Sequence, residues 1–267
     1  MTAPPDLPTD VQDDKPFQAK RIIQAVLIVQ LGIAAILFGA DLLPSLGRLI
    51  APSDAPALTQ PASPGDQTRR FSPRDVPTRA PNPGTRPVPA NTDMPTRLAF
   101  EFITWEDTPA LTLTGAIEAG DAERFADALA LNDAPQVVFL NSPGGSVYDA
   151  LEIGRALRDL DVTTRLTASD ICLSACPYIF AAGTARIAED DAWLGVHQHF
   201  FDENTVLPAF LAVEDIQRGQ AEVVGYLDDM GVDLRIMQPA MATPPDEIYL
   251  LTPQERTDYN LTTPLPE

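Results

Sequence analysis

The stretch VVFLNSPGG, Val137 to Gly145, fixes the reading of the globular part. Val137 to Leu140 is a continuous apolar run of the kind a strand buried on both faces carries. Asn141 to Gly145 then breaks the pattern, and two adjacent glycines let the backbone turn sharply while leaving N–H groups open to a ligand oxygen. From Val147 to Leu160 the period changes, placing Val147, Ala150, Leu151, Leu157 and Leu160 on one helical face. Strand, glycine turn and helix follow one another within a short span. No lysine follows the glycines, so a phosphate-binding P-loop is a poor reading, and a β-to-α turn needing only positive φ remains open.

Outward from this stretch the elements keep alternating. Leu98 to Trp105, Leu111 to Thr114, Val162 to Leu166, Trp193 to His197 and Glu247 to Leu251 read as strands. Helices are expected from Asp121 to Ala130, from Pro177 to Ala182 and from Leu211 to Met230, with Ile216, Val223, Val224 and Leu227 packing. Thr252, Pro253 and Glu255 form a capping pattern for a last short helix. Strands alternating with helices imply an α/β fold with largely parallel pairing.

Two further segments could carry chemistry. In CLSACPYIFAAG, Cys172 to Gly183, Pro177 marks the first turn of a helix, because its missing N–H would have no partner there. Ser174 then precedes the helix, beside the free N–H groups of Ala175 and Cys176, an arrangement suited to an oxyanion. Ser174 could equally be a helix cap. His197-Gln198-His199 contains the only two histidines. They read as a general base or as an incomplete metal pair, incomplete because Cys172 and Cys176 flank Ser174 and form no C-x-x-C hook. No metal or other cofactor is expected. The only lysines are Lys15 and Lys20, which removes any lysine base or nucleophile from the globular part.

In order and spacing, NSPGG, then S-x-x-x-Y-I-F-A-A-G, then V-H-Q resembles the Clp-type serine peptidases of the ClpP/crotonase superfamily, over about Leu113 to Leu261. The resemblance implies repeated β-β-α units in one domain. It implies Ser174 as nucleophile, His197 as general base, Asp246 as the third member, and the N–H groups of Gly145 and Ala175 as oxyanion hole. His199 stands where that family commonly has proline, and Cys172 and Cys176 are outside its cytosolic pattern. Histidine is also the only base of suitable pKa left to activate a serine hydroxyl here.

The N-terminal third has a different composition. After Lys15, Lys20 and Arg21 comes an uncharged run, Ile22 to Ala40, ending at Asp41. At about 1.5 Å per residue it measures roughly 28 Å, close to a bilayer's hydrocarbon thickness. A cleaved signal peptide would be shorter and end in small residues, whereas Phe38 sits near the end of this run. The segments expected are a cytoplasmic tail at 1–21, a transmembrane anchor at 22–44, a Pro-rich disordered linker at 45–96 and the ClpP/crotonase-like domain at 97–267. Cations before the run put the N-terminus in the cytoplasm and the domain outside the inner membrane, in the periplasm or beyond. An oxidising compartment favours a Cys172–Cys176 disulfide, two small buried apolar side chains being the alternative.

From Arg97 onward, 29 acidic residues face nine arginines, so the domain itself carries the chain's net charge of −20. Nucleic acid is thereby a poor partner, and crotonase-type acyl-CoA chemistry is a third and weaker choice, coenzyme A being cytoplasmic and polyanionic. The expected activity is that of a membrane-anchored extracytoplasmic serine peptidase acting on peptides or unfolded proteins, with a homo-oligomer compatible. The alternative is a non-catalytic binding or scaffolding module of the same fold.

Overall fold

The computed structural model describes residues 21, 23–36, 67–72, 94–199 and 209–264, with the backbone alone for 209–215. The chain divides into two units, Met1–Asp54 and Ala55–Glu267. In the first, residues 23–36 form helix α1, and its apolar side chains, among them Val26, Ile28, Leu31 and Ile36, stand at least half exposed. Among the described residues no helix is long and apolar enough to cross a membrane. Residues 1–20, 22 and 37–44 of the expected tail and anchor lie outside those described, as do 45–66 and 73–93 of the expected linker.

The second unit is mixed α/β with two mixed sheets. Strands β2 (Ala99–Trp105) and β3 (Thr108–Thr114) form an antiparallel hairpin. Its two-residue turn, Glu106-Asp107, has φ of 50° and 62°, the left-handed pair that matches the twist of the flanking strands. Next to β3, in parallel, lie β4 (Val137–Asn141), β5 (Thr163–Leu166) and β7 (Ala185–Ala188), completing a five-stranded sheet. Every residue of β4 is buried, as its apolar run predicts. The second sheet has the order β1-β9-β8-β6, with β1 (Thr68–Arg70), β6 (Ile171–Leu173), β8 (Trp193–Val196) and β9 (Glu247–Leu250).

Helix α2 (Asp121–Ala130) follows β3, and α3 (Val147–Asp159) follows β4. Ser146 caps α3 by accepting the Asp149 N–H, supplying one of the orphan donors of the first turn with a partner. The helix buries Ala150, Leu151, Ile153 and Leu157, while Leu160, expected on the same face, is 37% exposed because it already lies at the cap. Helix α4 (Cys176–Ala181) follows β6, and the long α5 (Ala209–Asp229) precedes a 3-10 turn at Leu234–Ile236 and α6 (Met237–Ala242). Tyr226 of α5 fixes the helix in place. Its hydroxyl donates to the Tyr178 carbonyl of α4 at 2.7 Å and stands where a Cβ on Gly154 of α3 would come within 1.9 Å. The last helix, α7 (Pro253–Asp258), carries the expected capping box of Thr252 and Glu255.

The two sheets meet at the end of β4. There the Ser142 N–H donates to Ile171 and its carbonyl accepts from Leu173, at 2.8 and 3.1 Å, while the buried Asn141 side chain accepts the Ile171 N–H at 3.1 Å. This junction carries the glycine turn to the start of α4.

One part of the expected linker is folded. Residues 67–72 bring β1 onto the edge of β9, with Gln67 completely buried. Composition argues against order here because a Pro-rich segment has little surface of its own to bury. The stretch is ordered instead by backbone pairing to an edge already built by the rest of the domain.

Candidate active site

Ser174 lies on the turn between β6 and α4, and its φ is +61°. A non-glycine residue in the left-handed region costs on the order of 1–3 kcal/mol, so the surrounding structure must enforce it. Three contacts do so. The Ser174 N–H donates to Gly195 of β8 at 3.0 Å. Gly144, with φ +94°, packs so closely that a Cβ on it would stand 2.5 Å from the Ser174 Cβ. Cys172 and Cys176 close a disulfide around the turn, their Cα atoms 5.0 Å apart.

The alternative of Ser174 as helix cap does not hold. Ala175 is the cap of α4 and makes no side-chain cap bond, and the Ser174 hydroxyl turns to histidine instead. Ser174 Oγ and His197 Nε2 are 2.8 Å apart. His197 follows the last residue of β8, two positions after the carbonyl that holds the Ser174 N–H. Ser174 and His197 are thus positioned from the same strand end.

Gly145 has φ +140°, and a Cβ there would fall 2.0 Å from the Ile117 carbonyl oxygen, so the position admits only glycine. Among the described residues neither the Gly145 nor the Ala175 N–H donates to a protein acceptor. Ala175 directly follows the serine, and Gly145 follows Gly144, the glycine packed against the Ser174 Cβ.

Asp246 is the residue that does not join. It precedes β9, is exposed, and contributes to the site through its backbone, the carbonyl accepting the Phe71 N–H at 2.9 Å. Among the described residues His197 Nδ1 is buried without a hydrogen-bond partner. The structure therefore holds a Ser–His pair and no contact to the expected third member. Sequence could place Asp246 before β9, but the direction of its carboxylate is set by tertiary packing.

The aromatic neighbour of the imidazole is Phe71, its ring centroid 4.9 Å away. Phe71 is the only aromatic residue in the 45–96 stretch, a signal that composition alone obscured. His199 takes a separate partner, its Nε2 2.7 Å from the Tyr178 hydroxyl. The two histidines therefore diverge once β8 ends, and among the described residues no cluster could hold a metal ion.

Burial, and then the proximity of His199, hold the His197 pKa down to about 4; burial lowers that of His199 as well. Near pH 7 His197 is neutral in both the folded and unfolded chain and contributes no pH dependence. Below about 6.5 the unfolded chain takes up a proton that the folded one refuses, so stability falls by about 1.4 kcal/mol per pH unit from this group alone. The loss continues down to the folded pKa near 4. Urea titrations between pH 7 and 4.5 should show stability falling with pH, and His197→Gln should reduce the slope by about this amount, His199 supplying part of the remainder.

The disulfide closes a loop so short that its chain-entropy contribution is about 2 kcal/mol at most. Its larger effect is on the turn. Reduction under mild conditions should leave the second unit folded while slowing reaction at Ser174, read as the rate of fluorophosphonate labelling beside a melting curve. Equal rates in both redox states would show that the bridge does not hold the serine.

No protein-family model matches this chain, and no curated protein matches it.

Proposed function

We propose that this protein is a serine hydrolase of the ClpP/crotonase type, a peptidase acting on peptides or unfolded proteins through an acyl-enzyme. The observation that carries the reading is the 2.8 Å approach of Ser174 Oγ to His197 Nε2 on a serine held at φ +61°. A sharp strand-to-helix turn presents the hydroxyl with its base already in reach, a geometry nucleophilic serines share. Three of the four successive units, β2-β3-α2, β5-β6-α4 and β7-β8-α5, carry the two strands and a helix of that superfamily's repeat, while β4-α3 carries one strand.

In the reaction, His197 Nε2 takes the Ser174 proton as Oγ adds to the substrate carbonyl carbon. The tetrahedral oxyanion is received by the Gly145 and Ala175 N–H groups. Collapse breaks the C–N bond, the leaving amine taking the proton from His197. Water, deprotonated by the same histidine, then hydrolyses the ester. The run Ile22 to Ala40 would anchor the chain in the inner membrane with the domain outside the cytoplasm. Its support is an uncharged sequence and a helix at 23–36 with apolar residues open around it.

A non-catalytic binding module is the second reading, favoured by one observation, that His197 Nδ1 has no hydrogen-bond partner among the described residues. Incubation of the folded full-length chain with a serine-directed fluorophosphonate, followed by mass mapping, separates the two. The hydrolase gives an adduct at Ser174 that is lost in His197→Ala. Absence of any adduct supports the module.

A further inference from the structure

The segment 67–71 is fastened at both ends. At one end the buried Gln67 donates through Nε2 to Glu255 Oε2 at 3.2 Å, and its carbonyl accepts the Leu250 N–H at 3.3 Å. Between them Thr68, Arg69 and Arg70 pair in antiparallel register with Tyr249, Ile248 and Glu247. At the other end the Phe71 N–H is bonded to the Asp246 carbonyl and its ring lies on the imidazole of His197, with ring planes at 47°. The residue expected to orient His197 is thus gripped, through its backbone, by the segment that covers the ring.

This arrangement decides the tautomer. To act as base toward Ser174, Nε2 must offer a lone pair, so the ring proton must sit on Nδ1. Among the described residues Nδ1 is buried with no acceptor, and a buried N–H left without its hydrogen bond is less tolerated than an acceptor lone pair left unmet. The other tautomer leaves only a lone pair unmet at Nδ1 and puts the proton on Nε2, where it donates to Ser174 Oγ. In that form the pair is hydrogen-bonded and unreactive.

We infer that residues 67–71 form an autoinhibitory strand, which seats Phe71 over His197 and keeps the Ser174–His197 pair in a resting state until the strand leaves β9. The inference rests on the hydrolase reading above. When the strand lifts, Nδ1 opens to the Asp246 carboxylate, the proton moves to Nδ1, and Nε2 becomes the acceptor for the serine proton. The segment is suited to reversible release: it is short, it pairs along one edge only, and Pro61, Pro64, Pro73 and Pro77 bracket it in sequence.

The test is the rate of fluorophosphonate labelling at Ser174 in the full chain, with melting curves to confirm folding. Phe71→Ala and deletion of residues 67–72 should each accelerate labelling about ten- to hundredfold, the bias against the buried Nδ1–H being relieved. The peptide QTRRFS added to the deletion variant should slow it again, and QTRRAS should not. Asp246→Asn placed in the Phe71→Ala background should cancel the gain. Long-range proton–nitrogen spectra supply a readout independent of activity, with His197 passing from the Nε2–H to the Nδ1–H form in Phe71→Ala. Labelling of folded Phe71→Ala at or below the wild-type rate, with the tautomer unchanged, overturns the strand while leaving the hydrolase reading standing. No adduct at Ser174 in any form, the deletion included, overturns both.

Discussion

Ser174→Ala should lower peptide hydrolysis by on the order of 10⁴-fold or more, and fluorophosphonate labelling to background, while the folded domain persists. The size follows from what is removed. Without Oγ there is no acyl-enzyme, and only the Gly145 and Ala175 donors and substrate binding remain to act on an attacking water. His197→Ala should cost nearly as much, since nucleophile and base act as one unit and the double variant should be little worse than either single one. A companion variant separates chemistry from folding. Ser174→Gly should be as inactive as Ser174→Ala yet more stable than the wild type by about 1 kcal/mol, because glycine adopts φ +61° without the steric cost of a Cβ. A stabilising change at the inactivated position is what strain stored for function predicts. If Ser174→Gly were no more stable than Ser174→Ala, the turn would be imposing no strain on the serine. If Ser174→Ala kept its peptidase activity, the nucleophile would lie elsewhere.

The parts of this architecture that sequence revealed are those whose pattern is local. β4 was legible because four apolar residues run together and all are buried, and α7 because its capping box needs only Thr252, Pro253 and Glu255. Ser174 and His197 were legible because their neighbours, the glycine turn, Pro177 and the end of β8, constrain the backbone in ways that show as residue types. β6 was missed: three residues are too few to show a period. β7 was missed because Arg186 interrupts its apolar run. β1, with the sequence TRR, has no apolar residue at all, and only the open edge of β9 makes it a strand. The Asp246 contact failed for the same reason that β1 was unforeseen. Where a carboxylate points, and what occupies the space beside an imidazole, depend on packing between elements far apart in sequence.

Arg186 provides the second large effect. It sits in β7, only 6% exposed, and among the described residues it has no carboxylate partner; burial, with Arg158 nearby, holds its pKa down to about 10, so it remains charged at neutral pH. Its charge is met by carbonyls. Nε donates to Leu261 at 3.1 Å, Nη1 to Gly183 at 3.0 Å and Met230 at 3.2 Å, and Nη2 to Asn260 at 2.7 Å. These oxygens lie at or just past the C-terminal ends of α4, α5 and α7, where unpaired carbonyls carry the negative end of the helix dipole. One guanidinium therefore ties three helix ends to the sheet. Arg186→Leu should destabilise the domain by about 2–4 kcal/mol, since it leaves the Asn260 and Leu261 carbonyls without this donor, while Arg158 still reaches the Met230 and Gly183 carbonyls. Arg186→Lys should recover only part of this, because an ammonium lacks the planar fork that reaches several acceptors together. In urea the midpoint should fall with the slope unchanged. The molecules still folded should label at Ser174 at close to the wild-type rate, because the serine turn is held separately by Gly144, the Gly195 carbonyl and the disulfide. A loss below about 1 kcal/mol would mean that water replaces the guanidinium at those carbonyls, and the cluster would then not be the clamp its geometry describes.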